Sequence, residues 1–186
     1  DYNLGCPVNK AQRQKVGAIL MEDPKLVKKV LSKLVSSTNK PVFAKIRSGF
    51  KSSNINYETI AKIAQDVGCS ALTIHPRTAE KKRSGAIFWE HIRDLKEKLN
   101  IPVIANGDIF TPEDANYVSN YSNCDYIMLA RAAARDPTIF KQCIDFDKKG
   151  KYKSKDKINL SNEYLKLIEK YPVKFKVAKE HINYFI

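Results

Sequence analysis

"PVFAKIRSG" (residues 41–49) decides the fold. Val42, Phe43, Ala44 and Ile46 give it strand character, and Gly49 ends it. Lys45 and Arg47 load its C-terminal half with charge. A strand covered by helices on both faces reads as a nearly continuous apolar run, so cations gathered at one end mark where chemistry is done. Four other segments repeat the pattern. "DYNLGC" (1–6) carries Asn3 and Cys6, and "ALTIHPRT" (71–78) ends on His75 and Arg77. "IPVIANGDI" (101–109) ends on Asn106, Gly107 and Asp108, and "DYIMLARAA" (125–133) on Ala130 and Arg131.

The stretches between these segments have helical period. "DPKLVKKVLSKLV" (23–35) places Leu26, Val27, Val30, Leu31, Leu34 and Val35 on one face. Asp23 is a ready N-cap and Pro24 suits the first helical position. The same start signal recurs at Thr111-Pro112 and Asp136-Pro137. "YETIAKIAQDVG" (57–68) is expected to bury Ile60, Ile63, Ala64 and Val67 and to stop at Gly68. "FWEHIRDLKEKL" (88–99) offers Trp89, Ile92, Leu95 and Leu99.

Strands alternating with helices build βαβ units and a parallel sheet. An open doubly wound sheet binds its ligand where the strand order reverses. In a TIM barrel all strand ends converge on one mouth. Five successive strands that each end in polar residues favour the barrel. The expected fold class is therefore α/β: a partial TIM barrel of about the last five strands, over residues 1–147. A whole barrel has eight strands in about 250 residues, so the first strands are expected upstream of Asp1. "KKGKYKSKDK" reads as a basic linker, residues 148–158. Residues 159–186 read as the start of a small α-helical domain, two helices broken at Pro172.

Lys and Arg number 33 against 20 acidic residues, a net charge of +13, which points to a polyanionic partner, nucleic acid first. Cys6, Cys69, Cys124 and Cys143 are scattered, without the spacing of a disulfide framework or a metal site. The three histidines show no zinc-site spacing, so no metal is expected. No apolar run approaches the roughly 18 residues of a membrane span, and the default compartment is cytoplasmic. Oligomeric state is not legible.

"DYNLGCPVNK", "AKIRSG", "LTIHPRT", "SGAIFW", "IPVIANGDI" and "MLARAAARDP", in this order, resemble the tRNA-dihydrouridine synthases, and the tail "KVAKEHINYFI" is similar to that family's C-terminal helical domain. The resemblance implies an FMN enzyme that uses NADPH (or NADH) to reduce uridines of tRNA to 5,6-dihydrouridine. It also implies a TIM barrel followed by a helical tRNA-binding domain, with "DYNLGCP" at the fourth barrel strand.

Reducing the uracil C5=C6 bond takes a hydride on one carbon and a proton on the other. Cys6 matches the family's catalytic cysteine, and a thiol, largely protonated at neutral pH, is a competent acid. Taken alone, "GCP" reads more readily as a small residue in a tight turn. Asn3 is the candidate for gripping the uracil edge. A lysine as deep in an apolar strand as Lys45 calls for an anionic partner. By resemblance it faces the flavin, as does His75. Asn106, Gly107, Asp108, Ala130 and Arg131 end the last two strands, where barrels commonly bind phosphate. By resemblance they hold FMN, with Arg131 on its phosphate. Arg77 lies in the "HPRT" match and is the substrate candidate there, while Arg47 suits an ion pair as well as a ligand. Lys10 and Arg13 match basic positions of the family's mobile loop and are candidates for substrate phosphates, solvated charge being the alternative.

The chain departs from the family in three places. Ala130 stands where the family usually has Gly, Pro76 replaces the Gly of "HxRT", and Lys81 and Arg83 stand where Gln and Tyr are common. Two other readings remain at this point. One is a different FMN barrel oxidoreductase acting on a small pyrimidine or enone. The other is a non-catalytic tRNA-binding fragment.

Overall fold

The structure is a computed structural model and describes residues 1–185. Ile186, the last residue of the expected helical domain, lies outside the described residues. In chain order the elements are β1 (Tyr2–Asn3), α1 (Asn9–Arg13), a 3-10 segment (Gly17–Glu22), α2 (Pro24–Ser36), β2 (Phe43–Arg47), β3 (Gly49–Lys51), β4 (Asn54–Ile55) and α3 (Tyr57–Asp66). Then come β5 (Ala71–His75), α4 (Glu90–Lys98), β6 (Val103–Asn106), α5 (Pro112–Ser122) and β7 (Tyr126–Met128). The chain continues as α6 (Arg131–Arg135), α7 (Ile139–Lys149), α8 (Lys157–Lys170) and α9 (Phe175–Phe185).

The five expected strands form one sheet, in the order β1-β2-β5-β6-β7, and every pairing is parallel. The order never reverses: each new strand adds to the same side of the last. A doubly wound sheet turns back on itself, whereas a barrel winds in one direction, so the sheet is the α/β barrel arrangement.

Register sorts the side chains by face. Ala44, Leu72 and Val103 form one row and Ile46, Ile74 and Ala105 another. All are 0 % exposed, with α3 packed on β2 and β5 and α4 on β6. The opposite face carries the polar row Asn3, Lys45 and Thr73, followed by the pair Arg47 and His75. Thus a single strand, β2, builds core with its even residues and a polar site with Lys45 and Arg47.

The helix signals hold with local changes. Asp23 caps α2, its Oδ1 accepting from Leu26 N at 3.0 Å, and Pro24 opens the helix. Val27 and Leu31 are fully buried, whereas Leu26 and Leu34 are exposed, so the buried stripe is narrower than the periodicity suggested. In α3, Tyr57 and Ala61 join Ile60 and Ala64 in the core, while Ile63 and Val67 stay half-buried. Thr111-Pro112 opens α5 as expected, with Thr111 Oγ1 accepting from Asp114 N at 3.1 Å. Asp136-Pro137 does not open a helix. Asp136 Oδ1 instead takes Thr138 N and Oγ1 (2.8 and 2.6 Å) and Oδ2 takes Gln142 Nε2 (2.6 Å), which moves the start of α7 to Ile139. The β3–β4 hairpin was not foreseen, being too short to show a period.

By packing, the chain divides into two compact units: residues 1–107 with 118–128, and residues 108–117 with 129 onward. The expected break at 147/148 is not where this division falls, because α6 packs with α7 and α9 and so joins the end of the strand-and-helix series to the helical segment. α7 runs to Lys149 and α8 starts at Lys157, so the stretch without regular structure is shorter than the expected 148–158 linker. Pro172 does separate the last two helices.

Ile74 is fully buried in the central strand of the sheet. Ile74→Ala is expected to lower unfolding free energy by about 2–5 kcal/mol, the usual cost of a core cavity; urea denaturation followed by circular dichroism measures it.

Candidate active site

Cys6 lies just past β1, in a turn built by three neighbours. Asn3 Oδ1 accepts from Gly5 N (2.9 Å) and Cys6 N (3.1 Å), an Asx-type turn that the short amide side chain makes against its own backbone. Cys6 O accepts from Ala18 N at 3.0 Å. Gly17, at φ +73°, lets the 3-10 segment lie against the cysteine: a Cβ there would sit 2.9 Å from Cys6 Cβ. Arg47 supplies the third support, its Nε donating to Gly5 O at 2.8 Å. Cys6, half-buried, forms part of the wall of a cavity of about 330 Å³ shared with Tyr2, Asn3, Ala11, Val16 and Gly17.

Arg47 does more than hold the turn. Its Nη1 donates to Thr78 O (3.1 Å) and Lys82 O (2.9 Å), so one guanidinium spans the Cys6 turn and the loop after β5. It is 6 % exposed and has no carboxylate partner among the described residues. Burial first, then Arg77, pull its pKa down to about 10, which leaves it charged at neutral pH. In place of an ion pair, Arg47 is bonded to the three carbonyls of Gly5, Thr78 and Lys82. Its position two residues after Lys45 on one strand face was the only sequence signal for it.

Arg77 is placed differently from the expectation. It is 3 % exposed, with Nη2 donating to Gly85 O at 2.7 Å. Its backbone also joins in: Arg77 N donates to His75 O (2.7 Å) and Ser48 N to Arg77 O (3.3 Å). The expected substrate contact is here a buried post for the loop that carries Lys81 and Arg83. Lys10 and Arg13, expected on a mobile loop, stand exposed on α1.

Lys45 and Asn106 meet across the sheet, Nζ to Oδ1 at 2.7 Å. Asn106 Nδ2 donates to Met128 O at 2.9 Å, which fixes the amide with its oxygen toward the lysine. The expected anionic partner is thus a neutral amide. Burial chiefly, and Arg47 next, lower Lys45 to about 8. Lys45 and Arg47 put two cations on one face of β2, and an anion bound there would relieve their repulsion. Beside it Gly107, at φ +125°, packs its backbone on the His75 ring: a Cβ would lie 2.5 Å from Cδ2. The next residue, Asp108, also has positive φ, +41°.

The second unit has a cluster of its own. Arg131 Nη2 pairs with Asp108 Oδ1, and its guanidinium lies 4.7 Å over the Phe110 ring, with Arg135 at 5.6 Å from the same ring. Phe110 was not singled out in the sequence; an aromatic residue after "NGDI" gives no signal of a stacking platform. Ala130 caps α6 at φ −127°, a negative value that an alanine tolerates where a glycine is usual. Among the described residues no group of His, Cys, Asp and Glu has metal-binding geometry, and no helix is long and apolar enough to cross a membrane.

A one-way parallel sheet with a cysteine turn at its first strand and cationic side chains on the next defines an α/β barrel-type protein with a cationic polar face. The chain belongs to the dihydrouridine synthase (Dus) family, whose description matches residues 1–185. It is 45% identical over 141 residues to tRNA-dihydrouridine synthase B of Pasteurella multocida, covering 76% of this chain and 42% of that protein. It is 35% identical over 193 residues to tRNA-dihydrouridine synthase B of Pectobacterium carotovorum, covering 100% of this chain and 60% of that one. The chain therefore spans about half the length of the curated relatives it matches. Among solved structures, the BexX/CysO complex of Amycolatopsis orientalis is similar at a TM-score of 0.45 and 14% identity, over 72% of this chain and 55% of that one.

Two outcomes are expected from this geometry. Gly107→Ala forces a methyl group into the His75 ring at a left-handed backbone position, and costs about 2 kcal/mol or more in urea unfolding. Lys45 binds its proton less tightly when folded than when unfolded. Stability therefore rises as pH increases from about 8 toward the unfolded value near 10.5. Lys45→Met removes that rise, which pH-dependent denaturation reads directly.

Proposed function

We propose that the protein reduces uridine to 5,6-dihydrouridine in tRNA, in the cytoplasm, with FMN as cofactor and NADPH or NADH as reductant. The observation that carries the reading is Cys6 itself: a thiol on a cavity wall, in a turn held by Asn3, Gly17 and Arg47. Reduced FMN, when bound, would supply the hydride to one carbon of the uracil C5=C6 bond. Cys6 Sγ–H gives its proton to the other carbon, and the resulting thiolate is reprotonated from solvent. The bound geometry of such a step demands a fixed acid, and the four hydrogen bonds around the turn favour it.

The residues present fit the cofactor. Lys45 has no carboxylate among the described residues, and its depressed pKa is restored by an anion. It therefore suits the flavin pyrimidine, with Asn106 orienting its amine and His75 flanking it over Gly107. Asp108, Ala130 and Arg131 suit the FMN phosphate end, Asp108 and the Phe110 ring fixing the guanidinium until the anion arrives. Asn3 spends its Oδ1 on the turn, and its Nδ2 is the group left to donate to a uracil carbonyl. Lys10 and Arg13, exposed beyond the turn, suit tRNA phosphates, as does the basic helical segment from Lys157. A uridine buried in tRNA has to leave its stack to reach Cys6.

Cys6→Ala is expected to cut dihydrouridine formation by about 10²-fold or more, the usual contribution of a general acid, while flavin absorbance and tRNA binding persist. Single-turnover reduction monitored by mass spectrometry of the tRNA measures it. Wild-type rates in Cys6→Ala remove the thiol from the chemistry. A protein that binds tRNA but takes up no FMN leaves RNA binding as its activity.

A further inference from the structure

The net charge of +13 is not spread along the chain. Residues 7–40 hold eight Lys and Arg against two acids, and residues 148–186 hold eleven against four. Everything else holds fourteen of each and is neutral. The tail's surplus goes with the helical segment proposed for tRNA. The surplus of six in residues 7–40 has no such account, and half of its cations stand on α2.

α2 contains four lysines and no acid. Lys25, Lys29 and Lys33 repeat every fourth residue and form one ridge, in steps of about 6 Å, on the side away from the buried Val27 and Leu31. All are exposed, as is Lys28 beside them. The arrangement works against the helix. Like charges four apart repel by about 0.2–0.5 kcal/mol per pair, and Lys25 and Lys28 face the positive end of the helix dipole. No lysine of α2 has a carboxylate partner among the described residues. The two acids just before the helix are engaged, Asp23 with Leu26 N and Glu22 with Asn54 Nδ2.

Several surface lysines elsewhere are matched. Lys62 pairs with Asp66, Lys98 with Glu58, Lys141 and Lys149 with Asp145, and Lys155 with Glu163. A helix face that served only solubility would share that mixture of signs. A row of unmatched cations at regular spacing is instead complementary to a row of phosphates.

We propose that the exposed ridge of α2, led by Lys25, Lys29 and Lys33, docks the phosphodiester backbone of the RNA substrate, as a second contact surface besides the helical tail. The proposal rests on tRNA being that substrate. Contacts of this kind position RNA without reading its sequence. They place the backbone along the helix that follows, through α1 and the 3-10 segment, directly from the Cys6 turn.

The test is binding of an unmodified tRNA transcript to the protein from about 50 to 300 mM salt. The variants are K25Q/K29Q/K33Q and K25R/K29R/K33R. Glutamine keeps helix propensity and removes the repulsion, so the Gln variant melts no lower than wild type. Its plot of log affinity against log salt is expected to be shallower by about 2, at roughly 0.7–0.9 per lost phosphate contact, with the Arg variant retaining the wild-type slope. A Gln variant with the wild-type slope overturns the proposal; loss of its binding to vesicles of anionic phospholipid would then name a membrane surface as the occupant. If wild type binds tRNA with the steeper slope yet forms no dihydrouridine, the docking surface stands and the reductase reading falls.

Discussion

A guanidinium buried with only carbonyl oxygens for company is the constraint on which the candidate site depends. Arg47 joins the Cys6 turn to the loop after β5 through Gly5, Thr78 and Lys82. Carbonyl dipoles offset its charge less fully than a carboxylate would, yet they give three fixed directions at once. A planar fork can serve two segments that come from distant parts of the chain; a lysine at the same place offers a single point. The position of Cys6 is thus set from the neighbouring strand as well as from its own turn.

Lys45, too, meets no carboxylate among the described residues. Its amine is held by Asn106, a neutral acceptor, and Arg47 lies on the same side of the strand. A buried lysine paired with Asp would be electrostatically complete and a weak host for an anion. Here the charge is underpaid, and binding free energy is available to an anionic ring or phosphate. In the second unit Arg131 follows another scheme: Asp108 and the face of Phe110 hold its guanidinium ready at a fixed orientation. The two clusters show two ways of keeping a cation ordered before its ligand arrives.

Charge at the surface follows a separate logic. Several surface lysines sit in ion pairs worth little to stability, and the residues outside 7–40 and 148–186 carry no net charge. The surplus of cations in residues 7–40 and 148–186 accounts for the whole of the sequence's basic balance.

Much of this was legible in one dimension. The alternation of apolar strands and amphipathic helices determined the parallel sheet, because strand and helix periods are local properties of the chain. Polar residues at the strand ends marked Cys6, Lys45, His75, Asn106 and Arg131 as candidates, because the periodicity that makes a strand apolar breaks visibly at each of them. Start signals at Asp23 and Thr111 held because a cap needs only its own first turn. The signal at Asp136 failed because Thr138 and Gln142, not the helix start, took its carboxylate. What only the tertiary structure decided is the use of each cation. Arg47 and Arg77 are indistinguishable from ligand-binding residues in sequence, since both follow apolar strand segments and are charged. Burial and the carbonyls brought to them by other segments turned them into supports, and the same long-range packing left Lys45 with an amide for a partner. Local periodicity sets where a side chain points; only the chain's return from far away in sequence sets what it meets.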